Sequence, residues 1–238
     1  MTVYVFTGPT IGPDEARENL EAIYLHPVAK GDVYAAAQSH PVAIGIIDGY
    51  FQQVPSVWHK EILWAMANGV YVFGAASMGA LRAAELHQFG MRGVGRIFEA
   101  YRDGKINDDD EVAVLHGPEE TNYIALSEAM VNIRCTLEAA ADAGIISDRT
   151  RYFLTTLAKN LFFHKRTYKN IIEIAFESTN QSVEINNFNK WLPDNTIDLK
   201  KIDAVSMLQE MAAFLKTDPG PMEVSYALEN TETWMLEP

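Results

Sequence analysis

The chain has 238 residues, 48% hydrophobic and 21% charged, so it can bury a core and is not a disordered polymer. Nineteen basic against thirty-two acidic residues leave a formal charge of −13, which repels phosphate backbones and anionic headgroups and argues against nucleic-acid or membrane work. The single cysteine, Cys135, excludes an internal disulfide framework and a cysteine-based zinc cluster.

The opening MTVYVFTGPT has no basic region ahead of a long apolar run and does not read as a signal peptide. No stretch approaches the roughly eighteen apolar residues of a membrane span. A cytoplasmic setting is the expectation.

Strands are predicted at Val3–Thr7, Ala22–Leu25, Val42–Ile47, Val70–Phe73 and Val112–Leu115. They are apolar on both faces, as in Ala43-Ile44-Gly45-Ile46-Ile47, which is the pattern of a parallel sheet covered on both sides. Helices are predicted between them at Asp14–Leu20, Gly31–Ser39, Ser56–Asn68, Met78–Phe89 and Val94–Asp103. The alternation predicts a Rossmann-like α/β fold, a parallel sheet with helices on both faces, over residues 1–120. Residues 121–238 read as a mostly helical domain or extension. Helices are expected at Ile124–Ala143, Arg151–Phe163, Tyr168–Phe176 and Ile202–Leu215, and a polar, Asn-rich loop at Ser178–Thr196. Past Asp218-Pro219-Gly220 the tail holds either one more helix or a frayed end.

Ligands of an open parallel sheet bind beyond the carboxyl ends of its strands, so the residues just after each strand carry the information. The sharpest run is Val70 to Arg82, YVFGAASMGALR after Val70: a buried strand, small residues, Ser77, then a helix. Ala75-x-Ser77-x-Gly79 has the spacing of the G-x-S-x-G nucleophile elbow, with alanine in the first glycine place. Ser77 is either a nucleophile or an ordinary helix cap. The N–H groups of Met78 and Gly79 would face an oxyanion there.

His59 is placed in the first turn of the preceding helix, as a base for Ser77, and Asp48 at a strand end, to orient a histidine or hold substrate. His116, after the Val112–Leu115 segment, and Lys60 are rival bases. Gly49 follows Asp48 at the same rim. Arg82 can hold a carboxylate or thiocarboxylate and can pair with Glu85 three residues on. The run Asn107-Asp108-Asp109-Asp110-Glu111 can bind magnesium through water, though such runs are more often solvated loops. His26, His40, His87 and His164 show no ligand spacing, and Cys135 is expected to be buried and inert. No phosphate loop and no G-x-G-x-x-G follows a strand, so no nucleotide cofactor is expected.

Five segments in this order resemble the TfuA-like family. They are Gly45-x-Ile47-Asp48-Gly49-Tyr50-Phe51, His59-Lys60-Glu61-Ile62-Leu63, the run Gly74–Leu86, Gly90-Met91-x-Gly93-Val94-Gly95 and Asp110-Glu111-Val112-Ala113. The opening Phe6-x-Gly8-Pro9-Thr10 agrees with it. The resemblance implies an accessory role in YcaO-dependent backbone thioamidation of peptides. It implies release of sulfide from a thiocarboxylated, ThiS-like sulfur carrier for a YcaO partner that itself uses ATP. Carried onto this sequence, Ser77 is the nucleophile. Two other readings stand beside it: a non-catalytic adaptor for carrier and YcaO, and a metal-dependent hydrolase on Asp48 and the 108–111 run. The acidic surface suits a basic patch on the partner. A homo-oligomer is compatible with the sequence.

Overall fold

The computed structural model describes residues 1–51, 54–178 and 182–228. It divides into two compact units, one of residues 1–107 with 201–238 and one of residues 108–200.

The first unit holds a five-stranded, all-parallel sheet in the order β2-β1-β3-β4-β5. Its strands are β1 (Val3–Phe6), β2 (Ile23–Leu25), β3 (Ala43–Ile46), β4 (Tyr71–Gly74) and β5 (Arg92–Gly93). Its helices are α1 (Pro13–Arg17), α2 (Asp32–Ala37), α3 (His59–Ala67), α4 (Met78–Leu86) and α5 (Arg96–Arg102). The predicted Rossmann-like architecture is therefore present. Every residue of β3 is buried, as its uniformly apolar sequence requires. Side-chain alternation sends Val3, Val5, Ala43, Ile47, Phe73 and Ala75 into one cluster. Ala16 and Leu20 cover that face together with Ala204, Met207, Leu208 and Met211 from helix α10 (Leu199–Leu215). Gly45 lies there too, under the thioether of Met211.

Two predicted features are corrected. Val112–Leu115 is not a strand of the sheet. A 3-10 turn at Asp109–Glu111 precedes it, and the segment is held by local bonds instead: Leu115 N–H donates to Ser127 Oγ and Leu126 N–H to the Leu115 carbonyl. The fifth strand is instead Arg92–Gly93, too short to leave a period in the sequence. Its place is set by Arg92, whose guanidinium lies 4.0 Å from the Phe214 ring centroid.

The second unit is helical: α6 (Met130–Asp142), α7 (Asp148–Asn160), α8 (Tyr168–Ser178) and α9 (Ser182–Trp191). The expected loop at Ser178–Thr196 is corrected by α9, because Ile185, Phe188 and Leu192 fall on one face and enter the core with Ile133, Leu137 and Leu154. Residues 179–181 lie outside the described residues. Residues 219–228 form no helix, and the rest of the tail, 229–238, lies outside the described residues too.

The acidic run of this unit is neutralised by its own cations. Lys159 Nζ lies 3.0 Å from Asp108, 2.9 Å from Glu111 and against Asp110. Arg134 holds Glu111 with two bonds of 2.9 Å, and the fully buried Arg166 donates to Asp110 Oδ2 at 2.7 Å. Burial pushes the Asp110 and Glu111 carboxyls up. The bonds and charges of Lys159, Arg166 and Arg134 outweigh it, so both end below their ordinary range. Unfolded, these carboxyls take up protons at higher pH than they do folded. Their contribution is therefore complete above the ordinary carboxylate range and is lost as pH falls through the depressed folded values. Unfolding followed against pH should show stability falling once the pH drops into and below the ordinary carboxylate range, and Glu111→Gln should flatten that fall. An unchanged slope in the variant would refute this account.

Candidate functional site

With strand order 2-1-3-4-5, the chain leaves β1 and β3 toward opposite edges, so the switch point lies between the loops that follow these two strands. Asp48 stands there, almost wholly buried. Its carboxylate accepts the Thr10 N–H at 3.0 Å and the Thr10 hydroxyl at 2.6 Å, which ties the loop after β1 to the loop after β3. Gly8 is small for the same reason: a Cβ there would lie 2.6 Å from Pro27 Cγ. Thr10→Val should cost about 1–3 kcal/mol by removing the hydroxyl that donates to a buried carboxylate, while Thr10→Ser retains most of the stability. Denaturant unfolding of the two variants checks this, and equal loss in both would remove the hydroxyl from the account.

The turn from β4 into α4 carries Ser77. Ala76 has φ +64°, a left-handed conformation that costs a non-glycine residue about 1–3 kcal/mol. Ser77 N–H closes a tight turn on the Ala75 carbonyl at 2.8 Å. The Ser77 side chain is buried, makes no capping bond, and has no hydrogen-bond partner among the described residues. Of the two N–H groups expected to face an oxyanion, that of Gly79 is bonded to the sheet. Gly79 N–H donates to the Ile47 carbonyl at 3.3 Å, whereas no bond from Met78 N–H falls among the described residues. Glycines let the turn approach the sheet this closely. A Cβ on Gly79 would lie 1.8 Å from the Ile46 carbonyl oxygen, and one on Gly49 would lie 2.8 Å from Met78 Cβ.

His59 opens α3, as its position predicts, but its bond runs to Glu85: Nε2 and Oε2 are 2.7 Å apart. Arg82 donates to the same oxygen at 2.7 Å and through Nε to the Val57 carbonyl at 3.0 Å. Burial raises the Glu85 carboxyl, but the His59 bond and the Arg82 charge prevail and hold it below its ordinary value. The structure therefore joins Asp48 to Thr10 and His59 to Glu85. Among the described residues neither His59 nor Asp48 is hydrogen-bonded to Ser77. Lys60 is exposed in the first turn of α3. His116 belongs to the second unit, where it forms an isolated bridge with Ala125 and its Nδ1 lies 2.7 Å from the Gly117 carbonyl.

Glu61 escaped the sequence reading. Its buried carboxylate accepts N–H groups of Gly31, Val33 and Tyr34 at the start of α2 and of Trp58 at the start of α3. Burial raises its carboxyl in spite of these bonds. The Glu three residues after Trp58 is the one sequence sign of this cap.

In the second unit, Asp108, Asp110 and Glu111 offer ligand atoms within 4.8 Å of one another. The Lys159 ammonium already contacts all three carboxylates, so a cation of the chain itself fills that role. No described helix is long and apolar enough to cross a membrane.

The TfuA-like protein family model matches residues 48–167, half of the chain. The chain belongs to the TfuA-like family. The match begins at Asp48, takes in His59, Ser77, Arg82, Glu85 and His116, and runs on through Arg134, Lys159 and Arg166. The charge cluster of the second unit is thus part of the TfuA-like region: Asp110 and Glu111 stand in a segment that suggested the family, and Arg134, Lys159 and Arg166 lie beyond those segments. TfuA-like proteins are associated with YcaO proteins and with thioamidation. No curated protein matches the chain.

Proposed function

We propose that this TfuA-like protein releases sulfide from a thiocarboxylated, ThiS-like carrier for a YcaO partner, by acyl transfer to Ser77. The observation that carries this reading is the Ser77 hydroxyl, which has no hydrogen-bond partner among the described residues and is held by a strained turn at the carboxyl end of β4, next to the Met78 N–H, for which no bond falls among those residues either. Ser77 Oγ attacks the thiocarboxylate carbon, and the developing oxyanion takes the Met78 N–H. Hydrosulfide leaves, water cleaves the ester, and the carrier departs as carboxylate. Proton transfer falls to His59, whose orientation Glu85 sets. Catalytic hydrogen bonds commonly tighten only once substrate is bound, so the path from Ser77 to His59 is completed by the seated carrier. Arg82 offsets the thiocarboxylate charge.

Sulfide measured on mixing the purified protein with thiocarboxylated carrier tests the reading: release faster than from carrier alone supports it, and its absence refutes it. The adaptor reading has its own support, since His59 and Asp48 are each bonded elsewhere. It expects carrier and YcaO to bind with no sulfide released.

A further inference from the structure

The segment that follows α10 lies as a strap across α3 and the end of α4. Over residues 221–228 exposed and half-buried residues alternate, with Met222, Val224, Tyr226 and Leu228 turned inward, as in a segment laid along a surface. Its contacts form rungs between the two helices. Met222 N–H donates at 2.9 Å to the carbonyl of Gly69, just past α3. The Met222 methyl fills the space beside Gly90, where a Cβ would lie 2.5 Å from it. Tyr226 is the next rung. Its hydroxyl donates to the Leu63 carbonyl of α3 at 2.8 Å, and its ring stands edge-on to Phe89 with centroids 5.9 Å apart. Phe89 ends the 3-10 turn His87–Phe89 that prolongs α4. Burial pushes the Tyr226 phenol up to about 12, so it remains a donor at neutral pH.

The following rung is the His59–Glu85 bond of 2.7 Å. His59 stands four residues before Leu63 and Glu85 four residues before Phe89, about one helical turn on each side. Tyr226 thus clamps α3 to the end of α4 one turn away from that pair. We infer that Tyr226 is a positioning residue for the His59–Glu85 pair, and that through it the C-terminal strap bears on the candidate site. The start of α3 is also held by Glu61 on the Trp58 N–H and by Arg82 on the Val57 carbonyl, so the strap adjusts the pair rather than creating it. The inference rests on the reading above for what the pair does in catalysis, yet the clamp itself requires neither sulfide nor a carrier.

Carboxyl-carbon NMR of the full chain, labelled at glutamate, follows the titration of Glu85, whose signal is assigned by its loss in Glu85→Gln. Burial raises this carboxyl, and the charged groups that act on it, His59 from α3 and Arg82 from α4, outweigh burial and hold it below its ordinary value. In Tyr226→Ala the His59 bond loosens, so the Glu85 titration should move up toward the ordinary carboxylate range. Tyr226→Phe keeps the ring on Phe89 and loses the hydroxyl, and should move it less in the same direction. Ser225→Ala, exposed on the same strap, should leave it in place. Sulfide release by Tyr226→Ala should fall about tenfold, a misplacement effect short of the roughly hundredfold or more lost with a general base itself. A Glu85 titration in Tyr226→Ala that superimposes on the parent's, or an equal movement in Ser225→Ala, would overturn the inference. Should Tyr226→Ala not fold, Tyr226→Phe decides by the same titration. A moved titration with full sulfide release would uphold the clamp and take proton transfer away from His59, which separates the failure of the catalytic reading from the failure of the clamp.

Discussion

Ser77→Ala is expected to lower sulfide release from thiocarboxylated carrier by about three orders of magnitude, the scale lost when a serine nucleophile is removed from an acyl-transfer site. The fold should survive, because the hydroxyl has no hydrogen-bond partner among the described residues and α4 begins without its help. Removing this oxygen from a buried side chain orphans no partner among the described residues, so unfolding should shift by less than about 1 kcal/mol. Sulfide assay and thermal unfolding on the same preparation make the two halves independent. A well-folded variant with undiminished release would reject the acyl-serine step. Loss of release together with loss of the fold would instead make Ser77 a packing residue. Glu85→Gln gives a graded companion: His59 loses a charged partner but keeps a neutral one, so the pH dependence of release should move where a purely structural carboxylate would not move it.

What could be read from the chain differs sharply between fold and site. Strands β1, β3 and β4 announced themselves because a strand covered on both faces is apolar nearly throughout, as in Ala43-Ile44-Gly45-Ile46, whereas the edge strand β2, with Ile23 half exposed, showed itself only by its β-prone residues. The β5 strand could not announce itself: two residues carry no period, and what seats it is a guanidinium on the ring of Phe214, far along the sequence. Helix α9 was hidden by Asn186, Asn187 and Asn189, poor helix formers whose cost is offset by Ile185, Phe188 and Leu192 in the core. In the site, each residue's place at a strand end or in a helix's first turn was legible, since local pattern fixes both. The partners were not. Asp48 to Thr10, Glu61 to Gly31 and His59 to Glu85 are pairings across 26 to 38 residues. Each satisfies a buried or charged group that several candidates could have satisfied equally well. Spacing alone therefore assembled Asp48, His59 and Ser77 into one set, where the tertiary structure bonds the first two elsewhere.

The second large effect concerns Gly79. In the parent, α4 starts so close to β3 that the Gly79 N–H bonds the Ile47 carbonyl. A methyl group at Gly79 would fall 1.8 Å from the Ile46 carbonyl oxygen and 3.2 Å from Gly74 Cα, both backbone atoms that cannot rotate aside. Either α4 lifts away or β3 and β4 part, and both routes disturb the central strands. Gly79→Ala should therefore destabilise the protein by about 3 kcal/mol or more, the upper range of overpacking, in spite of alanine's better helix propensity of about 1 kcal/mol. Gly220→Ala, where nothing lies within 4 Å, should stay within about 0.5 kcal/mol of the parent. Denaturant midpoints of the two variants give the comparison. Were Gly79→Ala as stable as Gly220→Ala, the close seating of α4 on the sheet would be wrong. The placement of Ser77 and of the Met78 N–H depends on that seating and would fall with it.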